Sequence, residues 1–207
     1  MDFPKILFIS SNGDHQSIID ELTPLLDAGL QWFQLRLKNR SKDDILNTAF
    51  VCKQLCADYN CLFTLNDNPG IAHQIDADGV HLGKNDMDLG KAQNILHESQ
   101  HLGATCNTMD DAMNAYKKKA NYIGVGPYAF TETKKNLSPT LGTEGYTEII
   151  NDPKYRKNIP LVAIGGLDLE AVKKLSSVGV THFAFSSFLR GENGITNFKA
   201  LQEYVGK

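Results

Sequence analysis

The sequence predicts an α/β protein built as one closed (β/α)8 barrel of the TIM type. Three observations lead there. The chain has 207 residues, near the lower end of what eight strand-helix units require. Short runs rich in β-branched and aromatic residues alternate with longer stretches at helical spacing, which is the pattern of a parallel sheet. Eight such units can be counted along the sequence, whereas an open doubly wound sheet normally uses about five or six strands.

The predicted strands fall at 5–10 (KILFIS), 31–36 (QWFQLR), 61–65 (CLFTL), 79–82 (GVHL), 101–105 (HLGAT), 121–125 (NYIGV), 160–164 (PLVAI) and 181–186 (THFAFS). Helices are predicted at 15–28, 42–59, 68–75, 88–97, 109–119, 145–151, 168–178 and 196–205. Ser41 precedes KDDIL, with acids in the first turn, and Asp168 precedes LEAVKKL as an N-cap. Gly29 follows LLDA and Gly179 follows SSV, each where a left-handed C-cap is wanted. No linker, low-complexity tract or repeat interrupts the series, so residues 1–207 are expected to form a single domain. The one long connection, 126–144 (GPYAFTETKKNLSPTLGTE), is polar, and a loop of that length in a compact domain is expected to serve as an active-site lid. Trp32 and Phe33 are expected to pack between barrel and helices, and His97 and His101 to lie at the surface. His81, inside a strand pattern, reads as a hydrogen-bonded core or rim residue and not as a catalytic base.

Bulk properties remove several function classes. Hydrophobic content of 42% with 22% charged residues is that of an ordinary globular protein, which argues against disorder. A net charge of −3 without a basic stripe argues against a nucleic-acid partner. The N-terminal MDFPKILFISS holds an apolar run too short for a secretory signal or a membrane span, so a cytoplasmic location and no membrane partner are expected. Cys52, Cys56, Cys61 and Cys106 have no grouped His or Cys partner and read as reduced core thiols, not zinc ligands.

The chemistry of a parallel barrel gathers where its strands end. Alternation puts Gln34, Arg36 and Lys38 on one side of the second strand, and inward cations are costly unless an anion or an acid meets them; a solvated strand end is the alternative for Lys38. The third strand ends in Asn66-Asp67 and the fourth runs towards Asp86 and Asp88. Oxygen ligands on adjacent strand ends suit Mg²⁺, with a phosphate-bearing substrate supplying the remainder. Asp67 could equally cap the helix that follows it. The loop residues Thr131, Thr133, Lys134 and Lys135 suit phosphate oxygens, although Thr and Lys are also ordinary on a surface loop. Gly165-Gly166 after the seventh strand and Ser186-Ser187 after the eighth fall where barrels commonly bind phosphate; a plain tight turn is the other use of paired glycines. Two anion sites facing one cavity suggest two phosphorylated substrates.

The segments QLRLK, LNDNPGIAHQIDADGVHLGKND, GPYAFTETKKNLSPTLGTEGY, VAIGGL and FSS, in that order over most of the chain, resemble the thiamine phosphate synthase family. The resemblance implies a (β/α)8 barrel that joins 4-amino-2-methyl-5-hydroxymethylpyrimidine diphosphate to a thiazole phosphate, releases pyrophosphate and uses Mg²⁺. It implies that Gln34, Arg36, Lys38 and Asn66 hold the pyrimidine diphosphate, that Asp67 and Asp86 bind Mg²⁺, and that Thr105 stands where a Ser is usual. Thr131 and Thr133 would contact the thiazole phosphate, Lys134 would reach the diphosphate, and Gly166, Ser186 and Ser187 would complete the thiazole-phosphate pocket. Arg36, Lys38 and Lys134 are then the catalytic cations, and no protein nucleophile is needed. Leu37, where an acid is common, Asn107, where a His is common, and Thr143 depart from the family pattern. The alternatives are an aminopyrimidine thiazole tautomerase relative, which would not need the metal-diphosphate site, and a non-catalytic thiamine phosphate sensor. Barrels of this size often pair, so a homodimer is a further expectation.

Overall fold

The computed structural model describes residues 2–130 and 139–206. Eight parallel strands close into a barrel in sequence order: β1 Ile6–Ile9, β2 Trp32–Leu35, β3 Leu62–Asn66, β4 Gly79–Leu82, β5 His101–Cys106, β6 Tyr122–Val125, β7 Leu161–Ile164 and β8 His182–Phe185. Between and after them lie α1 His15–Asp27, α2 Lys42–Asp58, α3 Pro69–Gln74, α4 Leu89–Gln93, α5 Met109–Lys117, α6 Gly142–Asn151, α7 Leu169–Ser177 and α8 Gly194–Val205. The predicted strand-helix order therefore holds throughout. The largest differences are α4, which stops at Gln93, and α6, which begins at Gly142. Beyond Gln93, Ile95 and Leu96 both donate to the Ala92 carbonyl in a closing turn, and Asn94, His97 and Ser99 are weak helix formers.

The caps read from the sequence are present. The Ser41 hydroxyl accepts from the Asp44 amide at 3.1 Å and the Asp168 carboxylate from the Ala171 amide at 2.8 Å. Gly29 and Gly179 take φ of 93° and 100°, which ends α1 and α7 in the left-handed region. Asp168→Ala is expected to cost about 1 kcal/mol through loss of this cap, measured as a lower urea midpoint with unchanged slope. The four cysteines are buried and free, as core thiols should be. No helix among the described residues is long and apolar enough to cross a membrane.

Strand alternation divides the core into two layers. Outward residues such as Phe33, Phe63, Val80 and Ile123 pack against the helices. Inward residues Leu7, Ile9, Trp32, Tyr122, Val162 and Ala184 fill the barrel, with Phe3 closing its N-terminal end. Phe33 lies where the sequence put it, but Trp32 does not. The same period of two that turns Gln34 inward turns Trp32 inward, so its indole packs at 4.9 Å from both the Phe3 and Tyr122 rings. His101 is also corrected. It is 1% exposed inside the barrel, in the space left by the absent side chain of its β4 neighbour Gly79, where a Cβ would come within 2.3 Å of the imidazole. His97 is exposed as expected and stacks on His73.

Candidate active site

At the end of β2, Gln34, Arg36 and Lys38 follow the inward set begun by Trp32. The segment is pinned from the β1 loop: the Ser10 hydroxyl accepts from the Arg36 amide at 2.9 Å and the Asn12 side chain from the Lys38 amide at 2.8 Å. Gln34 is buried and donates weakly to Asn66 Oδ1 at 3.4 Å. Arg36 lines the cavity at the barrel mouth, and among the described residues no carboxylate pairs with its guanidinium. A half-buried, uncompensated cation at the mouth is disposed to meet an anion. Leu37 points the other way into the helix-facing core, so its departure from the family pattern does not touch the site.

Asp67 is not a helix cap. The cap position of α3 is Asn68, without a side-chain bond, and Pro69 supplies the first turn. Asp67 instead takes φ of 70°, the left-handed region, and forms an ion pair with Lys38. Lys38 also lies 3.8 Å from Asp86 Oδ1, so one ammonium serves two carboxylates and the solvated alternative for Lys38 fails. Asp86 is held by the Gly83 amide at 2.7 Å. Burial, reinforced by the neighbouring Asp86 and opposed by Lys38, raises the Asp67 pKa to about 6. Burial acts on Asp86 as well, but its contacts with Asp67, the Gly83 amide and Lys38 outweigh it and hold the carboxyl below the usual range.

The second oxygen of Asp67, Oδ1, is buried and accepts no hydrogen bond among the described residues. An orphaned carboxylate oxygen beside a second carboxylate is a donor set that fits a hard divalent cation. The described residues contain no group of three or more His, Cys, Asp or Glu able to hold a metal. Two carboxylates are what Mg²⁺ takes when substrate phosphates supply the rest.

After β7, Gly165 and Gly166 adopt φ of 93° and 67°. Both glycines are required by a close approach as well as by that backbone. A Cβ on Gly165 would lie 2.7 Å from Pro127, and one on Gly166 2.9 Å from Ala129. The segment after β6 is clamped here, with the Tyr128 amide donating to Ile164 and the Ala129 amide to Gly165 at 2.9 and 3.0 Å. Asn107 adds a side-chain bond to the Gly126 carbonyl. Across the cavity, the Ser186 hydroxyl is buried without a partner among the described residues.

One cavity thus brings together Gln34, Arg36, Thr105, Gly166, Ser186 and Ser187. Asn66 joins it through Gln34, and Lys38, Asp67 and Asp86 form a second cluster on the neighbouring strand ends. Thr131, Thr133 and Lys134, with the rest of residues 131–138 of the 126–144 loop, lie outside the described residues. The sequence reading passed over Ser10 and Asn12, which fix the cationic strand end; the signal was the polar SSN directly after the first apolar run. It also passed over Tyr122, whose ring looks like ordinary core until its hydroxyl is seen 3.0 Å from His81 Nδ1.

A closed parallel barrel with cationic, carboxylate and glycine-backed hydroxyl groups at its C-terminal mouth belongs to the class of barrel enzymes that handle phosphate esters. The family model for thiamine monophosphate synthase matches residues 6–189, and the chain belongs to that family. Thiamine-phosphate synthases of Flavobacterium psychrophilum and Phocaeicola vulgatus are 39% and 40% identical to it, over 90% and 95% of this chain and 91% and 96% of theirs. Thiamine phosphate pyrophosphorylase from Pyrococcus furiosus superposes with a TM-score of 0.84 at 28% identity, over 98% of this chain and 95% of that one. A 3-hexulose-6-phosphate synthase, with a TM-score of 0.70 at 12% identity over 97% of this chain and 99% of that one, shares the fold alone.

Proposed function

We propose that this chain is a thiamine-phosphate synthase that condenses hydroxymethylpyrimidine diphosphate with a thiazole phosphate and releases pyrophosphate in the cytoplasm. The observation that carries the reading is the convergence of Asp67 and Asp86 on Lys38, beside a cavity lined by Arg36, Thr105 and Ser186, in a chain of this family. A tautomerase relative would not need the carboxylate pair, and a sensor could dispense with it.

In this reading Arg36 and Lys38 face the diphosphate and stabilise the charge that develops as the pyrimidine methylene carbon parts from it. Lys134 is assigned the same task by the family resemblance. Mg²⁺, held by Asp67 and Asp86 and completed by diphosphate oxygens, would neutralise the leaving group. Gly166, Ser186 and Ser187 bind the thiazole phosphate, placing the thiazole nitrogen to attack the methylene carbon. Holding the two substrates side by side supplies a proximity effect of up to about 10 kcal/mol. The apolar floor of Ile9, Val162 and Ile164 keeps water from competing for the cationic carbon. The 126–144 loop is assigned as the lid over both substrates.

Pyrophosphate release is expected only with both substrates and Mg²⁺ present. Thiamine phosphate binding without any release under saturating conditions would favour the sensor. The pH dependence has a definite sign. Asp67 gains its proton as pH falls through about 6, and a metal ligand must shed that proton. The Mg²⁺ concentration for half-maximal release should therefore climb roughly tenfold per pH unit below about 6 and level off above it. A flat requirement from pH 5 to 8 would remove Asp67 from the metal site.

A further inference from the structure

We infer that Glu21, a carboxylate of α1 outside the cavity, is a positioning residue that yokes the two halves of the site. One of its oxygens holds the β1 loop that aligns Arg36 and Lys38, and the other holds Arg190, which closes the turn carrying Ser186 and Ser187. Naming the two halves as diphosphate and thiazole-phosphate sites rests on the reading under Proposed function. The yoke itself rests on contacts within the protein.

Glu21 stands where α1 calls for an apolar residue. It lies three residues after Ile18 and four before Leu25, on the stripe that α1 buries with Ile18, Leu22 and Leu25. An acid at such a position is unfavourable unless its oxygens are engaged. Both are. Oε2 accepts from the Ser11 amide at 3.1 Å. Oε1 pairs with Arg190 Nη1 at 3.8 Å, the Glu21 and Arg190 side chains being 21% and 28% exposed.

The first contact fixes the loop from which the cationic strand end hangs. The Ser10 amide donates to the Gln34 carbonyl at 3.0 Å. The Ser10 hydroxyl, which accepts from the Arg36 amide, donates in turn to the Ser11 carbonyl at 2.8 Å. Asn12 accepts from the Lys38 amide, and the Ser11 hydroxyl accepts from the Gly13 amide at 3.1 Å. The loop thus grips the backbone of residues 34–38 on one side and Glu21 on the other. The second contact fixes the serines. The Leu189 and Arg190 amides donate to the Ser186 and Ser187 carbonyls, each at 3.2 Å, and close one turn of 3-10 helix at Ser187–Leu189. Arg190 is the residue on which that turn ends, so its tether to α1 sets where Ser186 and Ser187 sit. Strands β1 and β8 pair side by side, which lets one side chain on the helix after β1 reach both loops.

The division of contacts between the two oxygens separates this role from plain packing. Glu21→Gln keeps an oxygen for the Ser11 amide but loses the charge facing Arg190. KM for the thiazole phosphate should rise about threefold, the scale of a partly exposed ion pair, while KM for the pyrimidine diphosphate stays within about twofold of wild type. Arg190→Met should do the same, and the double variant should be no worse than either single one. Glu21→Met keeps the bulk and loses both contacts, so KM for the pyrimidine diphosphate should also rise, about tenfold, the scale of a hydrogen bond to a charged group. Little change in kcat is expected in any of them. Without substrate, amide hydrogen exchange followed by mass spectrometry should quicken at 186–190 in all three single variants, and at 10–13 and 36–38 only in Glu21→Met. Equal rises of both KM values in Glu21→Gln, unmoved KM values in Glu21→Met, additive losses in the double variant, or exchange that quickens at 10–13 in Glu21→Gln would each overturn the yoke. A wild-type chain without synthase turnover refutes the proposed function, and the exchange pattern then decides the yoke by itself.

Discussion

Replacing Asp67 by Asn is expected to lower Mg²⁺-dependent turnover about a hundred- to a thousandfold, the scale of losing a charged group that stabilises a developing anion, while thermal stability stays at or above wild type. The two effects have one cause. A carboxyl whose pKa rises from 3.8 to about 6 on folding binds its proton more tightly folded than unfolded. Stability is therefore lost as pH climbs through that interval, and at neutral pH the ionised Asp67 opposes folding. Asn removes the charge and tolerates φ of 70°, which Asp67 adopts. Its amide oxygen still accepts from Lys38, which keeps Asp86 as a counter-ion. Pyrophosphate release and a melting curve on the same variant check both halves. Wild-type turnover, or a melting temperature several degrees lower, would show that the carboxylate serves structure and not the reaction.

Gly103→Ala should be the most damaging small substitution in the barrel. The added methyl would sit 2.1 Å from Tyr122 Cζ and 2.4 Å from its hydroxyl oxygen. The ring has nowhere to go, because Trp32 and Phe3 pack on it at centroid distances of 4.9 and 5.1 Å. Overpacking of this kind costs about 3 kcal/mol, or a drop in melting temperature of about 6–12 °C for a chain of this size. The double variant Gly103→Ala/Tyr122→Leu, which gives the methyl its space, should be more stable than the two single losses added together. Simple additivity in that cycle would mean that the clash is relieved by strand movement elsewhere.

Much of this was legible in the sequence because barrel strands announce themselves by composition and the caps by single residues such as Ser41 and Asp168. The strand ends were legible too, since polar residues directly after an apolar run fall at the mouth by construction; Arg36, Asp67 and Ser186 were found that way. Trp32 was misplaced for lack of carrying the parity of Gln34 two residues back, information that was present. His101 is a different kind of miss. A histidine at the start of a strand reads as solvated, and only Gly79 on the neighbouring strand opens the interior to it. Cross-strand partners are a property of register, which a single chain does not display. The same holds for His81 and Tyr122, 41 residues apart and joined by a hydrogen bond. The short α4 escaped because helical spacing continues past the point where Asn94 ends the helix.

Three vacated strand positions carry a lesson about divergence. Gly103 yields its volume to the Tyr122 ring alone, Gly124 stands 3.1 Å from the His81 imidazole, and Gly79 makes room for the His101 backbone carbonyl as well as its ring, so a relative bearing a side chain at Gly103 must have given up bulk at Tyr122, whereas one at Gly79 must also have shifted the strand. Such reciprocal exchanges should be read as bookkeeping of interior volume, even where the residues concerned never meet a substrate.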